Sequence, residues 1–215
     1  MENNFDLKKF LVENKLTNNS RILEEEVDST EKELEQLLLK GAQSIESQAQ
    51  AVQPSKQDSE INEIGVLTGA ALLAGAPGLL NLLGKIANGI GDFFSGGFKQ
   101  GGGFKQMSDH EKGTYVGNKL KEKGEKLEHT YIDSIGGWLQ AAHPQRYAGQ
   151  SVEDKTTRLY DDAHKIYAGV LVGGAIVSGV DAVNAVGTVI GGLEGGATAL
   201  KTKEVLDIAR KIAAA

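Results

Sequence analysis

The chain has 215 residues, 23 Lys and Arg against 29 Asp and Glu, a net charge of −6, and no cysteine. Disulfides, zinc–thiolate sites, iron–sulfur clusters and thiol nucleophiles are therefore excluded, and the acidic balance argues against a specific nucleic-acid partner, which would require clustered positive charge. Charged residues at 24% exclude a wholly apolar integral membrane protein, while 28 glycines stand well above the usual share of about 7%.

The charge is unevenly spread, and it divides the chain into three parts. Residues 1–63 form an acidic leader with seven basic and fourteen acidic side chains. In it Phe5, Leu7, Phe10 and Leu11 mark one face of a short helix, and no apolar run near the amino terminus exceeds Phe10–Val12, so no secretory signal is expected. Leu16 to Ser29 is polar and Glu-rich and reads as flexible. Thr30 and Glu33 make a capping-box pattern, after which Leu34, Leu37, Leu38, Ala42, Ile45, Ala49 and Val52 recur at helical spacing. Gln53 to Ser59, with Pro54, reads as a linker.

Residues 64–107 are mildly basic, apolar and Gly-rich. Ile64 to Gly84 is a run of 21 uncharged residues, long enough to span a bilayer, which needs about 20. Pro77–Gly78 would break such a helix, so the alternative is two shorter helices around a turn. In the second piece Leu79, Leu80, Leu82, Leu83, Ile86, Ile90, Phe93 and Phe94 are apolar, and Asn81, Lys85, Asn88 and Asp92 form one narrow polar stripe. That pattern suits a buried bundle helix or a helix lying in a lipid interface. Gly96–Gln100 then recurs as Gly102–Gln106, which reads as a flexible linker; the sharper alternative is a paired Phe–Lys anchor for an anionic surface or a partner.

Residues 108–215 read as a helical domain. Val116, Leu120, Leu127, Tyr131, Ile135, Trp138 and Leu139 line one face of a mixed-charge helix, which Gly136–Gly137 should interrupt and His143–Pro144 should close. Ser151 and Asp154 fit a cap for the next helix. Ile166 to Val180 has no charge, and Asp181 alone separates it from Ala182–Leu193. Gly169 and Gly173, then Gly187, Gly191 and Gly195, repeat the small-xxx-small spacing that lets helices approach closely in lipid or in water. Lys201–Ala215 reads as an amphipathic terminal helix with Val205, Leu206, Ile208, Ala209 and Ile212 apolar.

Catalytic chemistry is not apparent. The four histidines, at 110, 129, 143 and 164, lie on different segments. The pairs Asp161/His164 and His129/Asp133 have the spacing of ordinary surface contacts on a helix. Gly84–Lys85 lacks the rest of a phosphate loop, and the glycines follow no strand, so no dinucleotide fingerprint is present. The chain is read as a non-enzyme with no cofactor and no metal.

The opening Phe5-Asp6-Leu7-Lys8-Lys9-Phe10-Leu11-Val12-Glu13-Asn14-Lys15-Leu16 resembles the leaders on small proteins of marine tailed phages, which are similar to capsid-targeting sequences of contractile-tailed phages. The resemblance covers roughly the first 25 residues, and its candidate leader residues are Phe5, Leu7, Phe10, Leu11 and Glu13. It implies an internal virion protein trimmed by a protease that prefers Leu or Ile, any residue, then Glu. Matches end at Glu13, Glu24 and Glu63, and also at Glu25 and Glu122.

The expected fold is all-α: glycine-rich apolar helical hairpins plus amphipathic helices behind a partly flexible acidic amino-terminal region. The expected function is a non-enzymatic phage structural or internal protein, located in the virion or in the host cytoplasm during assembly. Its partners would be other virion proteins and copies of itself. The alternative is a membrane-active, holin-like or ejection-pore protein of the host membrane. For that reading the candidate membrane or helix-packing residues are Leu79, Leu83, Ile86, Ile90, Phe93, Gly169, Gly173, Gly187 and Gly191.

Overall fold

The computed structural model describes residues 18–51, 72–73, 76–96, 108, 128–149, 151–192 and 202–215. These residues build an all-α fold, with no strand among them. In chain order the helices are α1 (Asn18–Ala51), α2 (Pro77–Gly96), α3 (residues 128–142), α4 (Val152–Val177), α5 (Ala182–Gly192) and α6 (Thr202–Ala213). A 3-10 turn, Pro144–Tyr147, joins α3 to α4.

Helix α4 is the axis of the fold. Its second half, from Ala163 to Ala175, is buried on every side except at Lys165, as expected for an uncharged run. Helix α6 lies along it with Val205, Ile208, Ala209 and Ile212 buried. Helix α2 crosses it on another side, with Leu79, Leu83, Ile86, Ala87 and Ile90 no more than 4% exposed. The polar stripe of α2, namely Asn81, Lys85, Asn88 and Asp92, faces outward. One core cluster takes in residues from Leu38 to Ile212.

Local sequence fixes the ends of α4. Ser151 Oγ accepts the Asp154 backbone N–H at 3.0 Å and donates to the Asp154 carboxylate at 2.7 Å. At the other end the Val180 N–H reaches the Ala175 carbonyl and the Gly179 N–H the Ile176 carbonyl. Gly179 has φ +92, so this is a Schellman stop at the residue type that tolerates it. Asp181 follows at once and caps α5, its Oδ1 accepting the N–H groups of Val183 and Asn184 at 3.0 and 3.2 Å. The charge that interrupts the second apolar region is thus a helix start.

Several expectations are corrected. Residues 18–29, expected to be flexible, belong to α1, which passes through Thr30 without a break. Leu, Glu and Arg are good helix formers, and a continuous run of them outweighs one internal capping signal. Within the acidic region, Leu38, Ala42 and Ile45 of α1 are at most 1% exposed and belong to the common core. Gly136–Gly137 does not interrupt α3, which runs on to Ala142. Gly136 sits where α3 passes Leu159 of α4, and such packing supplies the helical stability that glycine lacks. Among the described residues no helix is long and apolar enough to cross a membrane.

Candidate functional site

Buried polar groups gather where the first half of α4 meets α3 and the 3-10 turn. Asp162, on the line between Leu159 and Ile166, turns inward at 5% exposure. The Arg146 guanidinium donates to both of its carboxylate oxygens, Nε to Oδ2 at 2.9 Å and Nη2 to Oδ1 at 3.2 Å. The Tyr147 hydroxyl donates to Oδ2 at 3.1 Å. Pro144 starts the turn that brings both residues to α4. Burial, then the Asp162 charge, holds the Tyr147 hydroxyl well above the ordinary tyrosine value, with Arg146 opposing.

Two residues further along α4, His164 Nε2 lies 3.0 Å from Glu128 Oε1 of α3, both side chains about 5% exposed. Nε2 makes no hydrogen bond among the described residues, so the contact is close without being an aligned bond. Three tyrosines stand on the same two helices. Tyr160 meets the His164 ring edge-on at 5.5 Å, and Tyr131 and Tyr167 pack ring to ring at 5.4 Å. Burial raises all three phenols first; Glu128 adds to the rise at Tyr160 and Tyr167.

These two clusters join helices. No group of three His, Asp or Glu side chains able to hold a metal occurs among the described residues. Of the pairs noted in the sequence, Asp161 is exposed while His164 is buried against Glu128 instead, and His129 and Asp133 are both exposed. The sequence reading missed Glu128, Arg146 and Asp162. Glu128 stands three residues before Tyr131 on the apolar face of α3, and that spacing was the available signal.

The candidate residues are placed as follows. Leu79, Leu83, Ile86 and Ile90 are core residues of α2. Gly169 and Gly173 face α6, meeting Ile208 and Ile212, whereas nothing lies within 4 Å of a Cβ built at Gly187. Gly191 and Phe93 fall on α5 and α2, with their surroundings outside the described residues. Glu24 falls on α1 with its side chain outside them, and Phe5, Leu7, Phe10, Leu11, Glu13 and Glu63 lie outside them altogether. Trp138 is a buried packing residue, its ring edge-on to His143.

Comparison of the chain with family models, curated proteins and solved structures returns no match.

The raised phenols set the alkaline limit of the fold. A tyrosine whose folded pKa lies above its unfolded value of about 10 favours the folded state below that pH, and the advantage is lost as pH rises through the folded value. Urea midpoints should therefore fall as pH climbs beyond about 10. The phenolate absorbance of Tyr131, Tyr147 and Tyr167 should appear together with unfolding rather than before it.

Proposed function

We propose that this chain is a non-enzymatic structural or internal protein of a phage particle, directed there by a capsid-targeting leader at Phe5–Leu16. The leader pattern, with Phe5, Leu7, Phe10 and Leu11 ahead of Glu13, carries the reading. The burial of Leu79, Leu83, Ile86 and Ile90 against protein supports it over a permanently lipid-facing pore. Partners in this reading are other virion proteins and further copies of the chain.

The core also bears on processing. Trimming after Glu13 or Glu24 would leave Leu38, Ala42 and Ile45 attached, whereas trimming after Glu63 would strip them from the core. Mass spectrometry of purified particles should find the chain with its amino terminus at Asn14 or Glu25. Residues 1–25 fused to a reporter should carry it into proheads. Particles free of its peptides, or a leader that leaves the reporter outside, would end this reading.

A second reading, membrane activity, is favoured by one observation. Helix α2 combines a wide apolar arc with the exposed stripe Asn81, Lys85, Asn88 and Asp92, the pattern of a helix that can lie in a lipid interface.

A further inference from the structure

We propose that the acidic first half of α1 is the docking surface for a basic segment of the same chain, residues 112–127. That segment lies outside the described residues and leads directly into α3. The inference stands apart from both the virion and the membrane readings.

Helix α1 outruns the helix it packs on. Gln48 meets Gly78, Gly41 meets Ile86 and Leu37 meets Gly89, so α1 and α2 are antiparallel. Helix α2 stops at Gly96, seven residues past Gly89, and so opposite residue 30 of α1. Residues 18–29 carry α1 about 18 Å further.

Helix α3 ascends with α1 instead. The Tyr131 hydroxyl lies against Gly41, and Ser134 Oγ lies 3.4 Å from Glu46 Oε1. The chain therefore enters α3 from the side of the first half of α1. Backward from Glu46, the same line of α1 passes Ala42 and Leu38, each 1% exposed. It then passes Glu35, Glu31, Asp28 and Glu24, at helical steps of three, four, three and four. A line that is apolar and buried along the core thus continues as four carboxylates, which suit a basic cover.

The segment before α3 has that charge. Residues 112–127 hold five lysines against two glutamates, whereas residues 18–35 hold two basic side chains against seven acidic. Backward from Tyr131, the line of α3 that meets α1 continues through Leu127, Lys123, Leu120 and Val116, at steps of four, four, three and four. Ser134 and Glu46 are 88 residues apart in sequence, and two helices ascending together keep such an offset because both rise about 1.5 Å per residue. That offset sets Lys112 opposite Glu24, Lys119 opposite Glu31 and Lys123 opposite Glu35. The Tyr131 contact on Gly41 differs from it by two residues, about 3 Å of rise, which a lysine side chain spans. Val116 and Leu127 come within one residue of Val27 and Leu38, so apolar layers accompany the charged ones. A second copy of α1 in the same place would set carboxylates against carboxylates.

Carbodiimide coupling, which joins an amine to a carboxylate only in direct contact, tests the seating in the full chain. Lys119 and Lys123 should be found joined to Glu31 and Glu35 by mass spectrometry of the digested protein. In a mixture of isotopically heavy and light protein, both ends of each link should come from one chain. Glu31→Lys with Glu35→Lys should abolish the links and lower the urea midpoint. Adding Lys119→Glu and Lys123→Glu should restore both. Links between a heavy and a light chain would place a second copy on the acidic line and overturn the proposal. Lysines of residues 112–127 that couple to no carboxylate of α1, or a four-residue exchange that leaves the midpoint low, would overturn it as well.

Discussion

Replacing Asp162 by alanine is expected to lower the unfolding free energy by about 3–5 kcal/mol, the usual cost of breaking a buried ion pair by removing one member. The Arg146 and Asp162 side chains are 9% and 7% exposed and meet at 2.9 Å. Removing the carboxylate takes three hydrogen-bond donors' acceptor away at once, two on Arg146 and one on Tyr147. The double replacement Arg146→Met with Asp162→Leu should cost much less than the single change, because an apolar pair of similar volume leaves no orphaned charge. Urea denaturation of the three proteins decides the matter. A single-mutant loss below about 1 kcal/mol, the range of exposed pairs, would mean that the pair is solvated and the turn held by packing alone.

That cluster also marks where sequence reading stops. The apolar helices were legible because their patterns are strong: the stripe of α2, the uncharged run of α4 and the face of α6 all recur at helical spacing, and all fall on the described helices with the expected side inward. The Ser151 cap was equally legible, since its signal is local. Arg146 and Asp162 are 16 residues apart, and nothing in either neighbourhood announces the other. Glu128 closes a dense run of charges, which reads as a solvated face until α4 is laid across it. Residues 18–29 and Gly136–Gly137 depart from their local patterns for the opposite reason. There the continuity of a long helix, or its packing on a neighbour, outweighs a weak local signal and decides the conformation. The leader motif is a different kind of observation. It names a class of protein by resemblance and carries no information about the helical body behind it.

The glycines of α4 give the second large effect, and their sign runs against helix propensity. In an exposed helix, glycine to alanine gains about 1 kcal/mol. Gly137 of α3 and Gly187 of α5 are exposed with nothing near a new Cβ, so Gly137→Ala and Gly187→Ala should both raise the denaturation midpoint. Gly174→Ala should do the reverse and lose about 1–3 kcal/mol net, the usual cost of overpacking. Its Cβ would stand 2.6 Å from Ile90 Cγ2 and 2.8 Å from Ile90 Cβ, with the Ala87 carbonyl at 3.3 Å. Those atoms sit at the root of a β-branched side chain, which cannot swing away without moving the α2 backbone. Gly169→Ala meets the same obstacle in Ile208 of α6, with Ile208 Cβ at 3.0 Å. Gly173 is milder, its nearest neighbour 3.3 Å away, so its substitution should fall between the two classes. The small-residue line that could have joined this chain to another helix is thus already filled by its own α6. Gly169→Ala should accordingly lower stability in dilute protein to the same degree as in concentrated protein. A loss that deepens only at high concentration would place a second copy, rather than α6, on that line.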